Sequence, residues 1–350
     1  MSMTNFSRRS LLHRAALGAG AALASSIVAP GRGAARQDDL TPMTLQLNWN
    51  PNAEHAPYFL GRKLGYYAEE GIELEILPGT GSGNAVTLVG TGDSPFGVAI
   101  ADALVLGRAQ GVPALSTAVL LQENPGVLVS FAEKGIVAPE DIYGKRIALN
   151  PQSTGYAFWV AFTEANGLDR SQITEVNVST AELPLLIADE VDITGALLTN
   201  EVVTLLAEGY ELNMIDYDDY GVNSYGQVLL SNDDFIAENP DLARAFVTAT
   251  LRSWEYTFDH VDEAIAALAE AVPETDAELE TAKWPPIIEL AHAPDGATPF
   301  GQQTIEGWTQ TAQAFEIGGL IDEPVDPQSL FTNEFLPEDR SPAAAATPAA

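Results

Sequence analysis

Short segments with a strand pattern alternate with segments of helical pattern along most of this 350-residue chain. A half-buried strand alternates apolar and polar side chains, whereas a helix repeats its apolar positions every three to four residues. The strand pattern is found in Met43–Asn48, Ile72–Leu77, Phe96–Ile100, Val112–Leu121 and Val127–Phe131. The helical pattern is found between them, in Ala56–Tyr67, Asn84–Gly90 and Ala101–Gln110. Repeated β-α-β order is typical of α/β folds with a largely parallel sheet, and we predict this fold class.

A second series of strands and helices begins after Pro125. Its predicted strands are Arg146–Leu149, Glu175–Val178, Val191–Leu197 and Glu211–Asp216, and its predicted helices are Tyr156–Asn166, Glu182–Asp189 and Glu201–Glu208. One more strand is expected at Gln227–Ser231, before a largely helical C-terminal third. This order predicts two α/β lobes joined by two crossing strands, with residues 43–124 and 226–337 in lobe 1 and residues 125–225 in lobe 2. Two hinged lobes can close over a small ligand in the cleft between them.

The N-terminus carries the features of an export signal. Arg8-Arg9 precedes Ser-Leu-Leu, and the apolar run Ala15–Val28 leads to small residues around Gly33. Paired arginines are typical of the twin-arginine signal type, and the run is shorter than the roughly 20 residues that span a bilayer. We therefore predict a twin-arginine signal peptide over residues 1–36, export to the periplasm or another extracytoplasmic space, and no integral membrane segment in the mature chain. The Ala/Pro-rich residues 338–350 are predicted to be a disordered tail.

The composition excludes several classes of function. The chain has 16 Lys and Arg residues against 49 Asp and Glu residues, for a formal net charge of -33. Such a surface repels phosphate, so nucleic acid is not an expected partner. Cys is absent, which rules out disulfides, Cys-ligated metals and a thiol nucleophile, and the scattered His residues lack metal-site spacing. We predict no metal and no cofactor, and we expect the acidic runs Asp216–Asp219 and Glu274–Glu280 to be solvated faces.

Five parts of the chain resemble, in the same order, the SsuA/THI5-like (NMT1-like) substrate-binding proteins. These parts are Asn48–Tyr58, Gly65–Leu74, Gly144–Ile147, Tyr220–Tyr225 and, near the C-terminus, Gly319–Asp322 with Leu330–Leu336. The C-terminal part resembles the signature of the branch that binds thiamine pyrimidine precursors.

The resemblance implies a type II periplasmic-binding-protein fold and a role in an ABC importer, with its permease and ATPase as partners. It implies a small heteroaromatic ligand, of the formylaminopyrimidine or hydroxymethylpyrimidine type, bound by a monomer. Flavin-binding, sulfonate-binding and nitrate-binding relatives share the fold, and fold alone does not choose among ligands. Riboflavin or another flat heterocycle therefore stays open as an alternative, whereas a sulfonate or nitrate fits a chain with so few basic residues less well.

Three aromatic residues are candidates for stacking on a flat ligand. Trp49 follows the first strand in a polar turn, and loops after parallel strands line the cleft of α/β sheets. Tyr58, three residues beyond His55, shares its helical face. Tyr156 lies at a strand-to-helix turn of lobe 2 and would complete a sandwich with Trp49. Core packing is the alternative role for each of them.

Four further residues are candidates for hydrogen bonds to the ligand. Asn52 has an amide that can donate and accept, with turn chemistry beside Pro51 as the alternative. The family places a His at the cleft mouth in the position of His55, and an acidic residue in the segment of Glu201. A carboxylate can pair with an aminopyrimidine in a bidentate manner, although a first-turn Glu also favours the helix dipole. Tyr225 stands at the return crossing.

An enzymatic role is not expected. The related fungal pyrimidine synthases use a Lys and a His in a segment that matches Gly97–Leu106, where this chain has neither. Their Cys-rich motif is also missing. The glycine-rich turn Gly79–Asn84 lacks the Lys of a phosphate loop and is expected to be a plain loop, and Asp102 is expected to cap the next helix rather than line the cleft. An exported enzyme of unknown chemistry is the alternative from a different class.

Overall fold

The computed structural model describes residues 40–151, 153–179, 182–321 and 323–338. The predicted signal peptide and all but the first residue of the predicted tail lie outside these ranges. Ten strands are described: β1 Thr41–Gln46, β2 Ile72–Leu77, β3 Phe96–Ile100, β4 Ala114–Val119, β5 Gly126–Phe131, β6 Arg146–Leu149, β7 Thr174–Asn177, β8 Thr194–Leu197, β9 Leu212–Asp216 and β10 Gln227–Asn232.

Thirteen α-helices are described in the same ranges, with short 3-10 turns between some of them. They are α1 Ala56–Leu64, α2 Tyr66–Glu69, α3 Ser82–Gly90, α4 Ala101–Ala109, α5 Thr154–Ala165, α6 Leu183–Ile187, α7 Glu201–Ala207, α8 Asp233–Glu238, α9 Pro240–Asp259, α10 Val261–Ala271, α11 Ala277–Ala282, α12 Trp284–Ala291 and α13 Ile305–Ile317. The helix predicted over Ala56–Tyr67 is split at Gly65, whose φ of 81° ends α1. No described helix combines the length and the apolar character needed to cross a membrane.

The strands form one large sheet and two small ones. The five-stranded sheet has the order β2-β1-β3-β10-β4, in which β1 is parallel to β2 and β3, and β10 is antiparallel to β3 and β4. The three-stranded sheet β8-β5-β9 is antiparallel, and β6 and β7 form a parallel pair. We call the five-stranded sheet with its helices the first lobe and the strands β5–β9 with theirs the second lobe. The α/β class is confirmed, but strand pairing is not largely parallel, because β5 and β10, which follow the crossings, run antiparallel to their neighbours.

Burial follows the sequence pattern in the strands. In β2, Ile72 and Leu74 are buried while Glu73 and Glu75 are exposed, as alternation on a sheet packed on one face requires. The central strand β10 is buried at all six positions, because it has neighbours on both edges and helices on both faces. One hydrophobic cluster also crosses between the lobes and includes Trp159 and Trp308, and α13 packs on both α4 and α5. The two lobes therefore share part of one hydrophobic core.

The acidic runs are solvated faces only in part, because Asp219, Glu274 and Glu278 are exposed whereas Asp218 and Glu280 are not. Glu280 accepts a hydrogen bond from the backbone N–H of Ala53 at 2.6 Å and forms an ion pair with Lys283 at 2.7 Å, and both side chains are largely buried. Asp218 has a buried carboxylate oxygen without a partner among the described residues. Burial and the neighbouring Asp216 raise the pKa of Asp218 to about 8. Charge runs in sequence do not reveal that a neighbouring lobe or helix covers part of them.

Candidate ligand-binding cleft

A cleft of about 930 Å³ lies where four strands end. Asn48 and Trp49 follow β1, and Asp102 follows β3, so the first lobe contributes the carboxyl ends of two parallel strands. Thr154 follows β6 and Glu201 follows β8 on the second lobe. The cleft is therefore built from both lobes, at the strand ends where α/β proteins place ligands.

Three of the predicted site residues line this cleft. Trp49 is 54% exposed, the largest side chain presented to it, and its backbone carbonyl accepts a hydrogen bond from Gly79 N–H at 3.0 Å. Asn52 also lines the cleft, but its Oδ1 already accepts from Glu54 N–H at 3.1 Å in a helix cap. The Glu201 carboxylate accepts from Leu197 N–H and from Asn200 Nδ2, each at 3.0 Å. Each of these carboxylate oxygens keeps a second lone pair for a ligand.

His55 and Tyr58, both expected to contact the ligand, are buried and do not line the cleft. Tyr58 is fully buried against Trp254, with ring centroids 6.3 Å apart. His55 is 1% exposed, and its Nε2 lies 2.8 Å from Asn48 Oδ1. Its Nδ1 accepts from Asn52 N–H at 3.2 Å, which assigns the proton to Nε2 and makes the ring a donor to Asn48. His55 thus positions Asn48, which lines the cleft, without itself lining it.

Tyr156 and Tyr225 lie beside other cavities. Tyr156 borders a smaller cavity of about 230 Å³ that adjoins the main cleft, and its hydroxyl accepts from Arg170 at 2.9 Å. Tyr225 is 6% exposed, accepts from Thr304 N–H at 2.9 Å and packs edge-on against Trp308. Tyr156 does not line the main cleft with Trp49, and Tyr225 is part of the packing around the crossing.

Two functional candidates are missed by the sequence reasoning. Glu54 lines the cleft. Its carboxylate accepts one hydrogen bond from the Thr199 hydroxyl at 2.6 Å and another from Gln227 Nε2 at 2.9 Å. Burial raises the pKa of Glu54. Gln227, at the first position of β10, also lines the cleft and is 1% exposed. The one available signal for Glu54 is its place in the same segment as Trp49.

Asp102 lines the cleft and is not the cap of α4, because Ile100 occupies the N-cap position and no described side chain caps this helix. Its carboxylate accepts from the backbone N–H of Ala103 in the first turn of α4, and it lines the cleft. The Thr154 hydroxyl of the second lobe also bonds to it, while burial raises the pKa of Asp102 to about 6. Glu54 with Thr199 and Asp102 with Thr154 are thus two carboxylate–threonine bridges between the lobes.

The cleft is rich in acceptors. Glu54, Asp102 and Glu201 line it, and none of the described lining residues is Lys or Arg. Within the described ranges there is also no group of three His, Cys, Asp or Glu residues arranged to hold a metal ion. An anionic ligand would meet three carboxylates and no cation, whereas a ligand that presents N–H donors or positive charge would find partners.

The two-lobed architecture and the cleft at the strand ends define a periplasmic-binding-protein fold. The periplasmic aliphatic sulphonate-binding protein SsuA from Escherichia coli aligns with a TM-score of 0.65 at 14% identity, over 83% of this chain and 91% of that structure. The model of the family described as NMT1/THI5 like matches residues 52–264. The chain belongs to this family.

Curated relatives of the chain include binding proteins and enzymes. A formylaminopyrimidine-binding protein of Halalkalibacterium halodurans is 24% identical over 86% of this chain and 92% of its own length. The riboflavin-binding protein RibY of Chloroflexus aurantiacus is 28% identical over 86% of this chain and 88% of its own length. A 4-amino-5-hydroxymethyl-2-methylpyrimidine phosphate synthase of Legionella pneumophila is 27% identical over 85% of this chain and 92% of its own length.

Proposed function

We propose that this chain is the exported, non-catalytic solute-binding protein of an ABC importer and that it binds a thiamine pyrimidine precursor in the cleft. The observation that carries the proposal is the cleft lining, in which an exposed Trp49 stands among three carboxylates without a basic residue. An aminopyrimidine offers a flat ring for the indole and N–H donors for the carboxylates. The relationship to a formylaminopyrimidine-binding protein supports the same ligand class.

The lining also argues against the ligands of the sulfonate-binding neighbours. A sulfonate needs donors or cations, and the lining residues supply three carboxylates instead. The enzymatic relatives use chemistry for which the matching segment Gly97–Leu106 has neither Lys nor His. The paired arginines at Arg8-Arg9 support twin-arginine export, and the family supports a permease with its ATPase as the partner of the loaded protein.

Riboflavin is the second candidate ligand, and cleft size favours it. The volume of about 930 Å³ is near the upper end of the roughly 300–1,000 Å³ of small-molecule sites. A single pyrimidine ring fills only part of such a space, whereas a three-ring flavin fills more of it. The relative RibY supports this alternative.

Titration of the purified mature chain tests the proposal. We expect 1:1 binding of 4-amino-5-hydroxymethyl-2-methylpyrimidine or its formylamino relative by calorimetry and native mass spectrometry, and none of taurine. Trp49→Ala should weaken binding about 10-fold to 100-fold, because stacking and ring burial are both lost. Trp49→Phe, which keeps a flat ring, should lose much less. Binding of riboflavin alone would select the second candidate, and binding of none of these compounds would refute the proposal.

Closure of the lobes is part of the proposed mechanism, and Thr199 offers a test of it. Its hydroxyl links the second lobe to the Glu54 carboxylate of the first, and a hydrogen bond to a charged group contributes about 1.5–3 kcal/mol. Thr199→Val keeps the shape and removes the bond, so we expect a larger radius of gyration without ligand and an affinity about 10-fold lower.

Thr204→Val is the matched control for this experiment. Among the described residues, the Thr204 hydroxyl bonds only to the backbone carbonyl of Asn200, the N-cap residue of α7, so its loss should leave the lobes as they are. Small-angle scattering of both variants, with and without ligand, measures the difference. Superimposable curves for wild type and Thr199→Val would show that this bridge does not hold the lobes together.

A further inference from the structure

Glu54 and Gln227 form a hydrogen-bonded pair at the floor of the cleft. Glu54 lies in the 3-10 turn Ala53–His55 and Gln227 at the start of β10, and Gln227 Nε2 donates to Glu54 Oε2 at 2.9 Å. The other carboxylate oxygen, Oε1, accepts from the Thr199 hydroxyl at 2.6 Å. Both residues also line the cleft, so a ligand seated there meets this pair.

The second polar atom of the Gln227 amide has no partner among the residues that the structure describes. Gln227 is 1% exposed, and its Oε1 is buried without a hydrogen bond from any described residue. A buried acceptor left unpaired destabilises a protein by about as much as a lost hydrogen bond, and native proteins rarely tolerate one without a reason. Because the side chain lines the cleft, a donor on the ligand is the partner that the geometry leaves for this oxygen.

The charges around Glu54 leave its carboxylate without an ion pair. Glu201 and Glu280 face it and repel its negative charge, while Lys283 attracts it. The Lys283 ammonium is bonded to Glu280 at 2.7 Å, however, and Glu280 also accepts from Ala53 N–H. The net effect of burial and these neighbours is a raised pKa for Glu54, so a proton or a ligand donor can stabilise this group.

The proton on Glu54 decides which end of the Gln227 amide faces the ligand. When Glu54 is ionised it must accept, so Gln227 turns Nε2 toward it and Oε1 toward the ligand. When Glu54 is protonated its O–H can donate to Gln227 Oε1, and rotation of the amide by half a turn then presents Nε2 to the cleft. The pair thus offers an acceptor in one protonation state and a donor in the other.

We propose that Glu54 and Gln227 determine ligand specificity, selecting an amino-substituted heterocycle over the same ring with a carbonyl in place of the amine. The ionised pair presents Gln227 Oε1 to the exocyclic N–H of the amino ligand. A carbonyl ligand needs Nε2 instead and therefore binds together with a proton on Glu54. This inference rests on the proposed function, because it concerns the ligand of the same cleft.

The test uses a matched pair of ligands and a variant that mimics protonated Glu54. The ligands are 4-amino-5-hydroxymethyl-2-methylpyrimidine and its 4-oxo analogue. Glu54→Gln keeps an acceptor for Thr199 and supplies an N–H for Gln227 Oε1, which turns the Gln227 amino group toward the cleft. Glu238→Gln, an exposed position on α8, changes the net charge equally and serves as the control.

We expect the wild type at pH 8 to bind the amino ligand at least about 10-fold more tightly than the oxo analogue. Glu54→Gln should lose this preference or reverse it, and Glu238→Gln should keep it. Calorimetry in two buffers of different ionisation enthalpy should show proton uptake when the wild type binds the oxo analogue and none when Glu54→Gln does. Thermal unfolding checks that both variants are folded.

The outcomes separate this inference from the proposed function. If the wild type binds the amino ligand and Glu54→Gln retains the wild-type preference, the inference is wrong and the proposed function stands. The same conclusion follows if the oxo analogue binds the wild type without proton uptake. If the folded wild type binds neither pyrimidine, the proposed function fails and the inference fails with it.

Discussion

Gly79→Ala is expected to lower the free energy of unfolding by about 3 kcal/mol, at the upper end of the usual effect of overpacking. A Cβ at this position would lie 2.0 Å from the backbone oxygen of Leu47 and 2.5 Å from the backbone carbon of Asn48. Both are backbone atoms of the segment that follows β1. A side-chain rotation therefore cannot relieve the contact. The added methyl group therefore has to displace the backbone itself.

The same displacement should reach the ligand. Gly79 N–H donates to the carbonyl of Trp49, and Gly81 N–H donates to that of Asn48, so the glycine-rich turn holds the segment that carries the exposed indole. We expect ligand affinity to fall by more than about 10-fold in the fraction that folds, because small misplacements of positioned groups have large effects. Urea unfolding and calorimetric titration measure the two effects separately.

Gly83→Ala is the matched control from the same turn. Apart from its chain neighbours and the backbone of its own helix, no atom of the described residues lies within 4 Å of a Cβ at Gly83, the second residue of α3. Alanine is favoured over glycine in a helix by up to about 1 kcal/mol, so this variant should be as stable as the wild type or slightly more stable. Equal unfolding curves for the two variants would contradict the role given to Gly79.

The fold could be predicted from sequence where the apolar period is clear. The strands β1, β2 and β3 alternate or are continuously apolar, and their predicted bounds agree closely with the observed ones. The helices α11 and α12 were missed because one lies in an acidic run and the other contains Pro285 and Pro286. Both prolines are in the first turn of α12, where their missing N–H groups do not interrupt the helix.

The cleft could be predicted in part. Trp49, Asn52 and Glu201 line it because each follows a strand whose end was visible in the sequence. The burial of Tyr58 and Tyr225 could not be predicted, because the pattern gives a helical or crossing segment but not the neighbour that covers each side chain, Trp254 and Trp308 here. Glu54 was missed because its partners Thr199 and Gln227 lie 145 and 173 residues away.

His55→Gln is expected to make the stability of the protein less sensitive to acid. Burial lowers the pKa of His55 to about 3, whereas an exposed His in the unfolded chain titrates near 6.5. Between these values the unfolded state binds a proton that the folded state does not, so stability falls as the pH falls below 6.5. At 1.36 kcal/mol per unit, the loss between pH 7 and pH 4.5 is about 2–3 kcal/mol.

The difference between wild type and variant isolates this contribution. Burial raises the pKa values of Glu54 and Asp102, which stabilises the folded state on acidification, but both groups are present in both proteins and their effects cancel in the difference. We expect His55→Gln to be less stable than the wild type at pH 7, because the ring bridges Asn48 and Asn52. The difference in unfolding free energy between wild type and variant should be smaller by about 2–3 kcal/mol at pH 4.5 than at pH 7. Urea unfolding at both pH values measures this difference.

His260→Gln provides the control for the change of residue type. Its ring lies partly exposed against Tyr256 and bonds to a backbone carbonyl of its own helix region, so it does not support the cleft. Its unfolding free energy should follow that of the wild type across the same pH range. If His55→Gln also runs parallel to the wild type, the buried ring is not held neutral, and Nδ1 cannot be the acceptor of the hydrogen bond from Asn52 N–H.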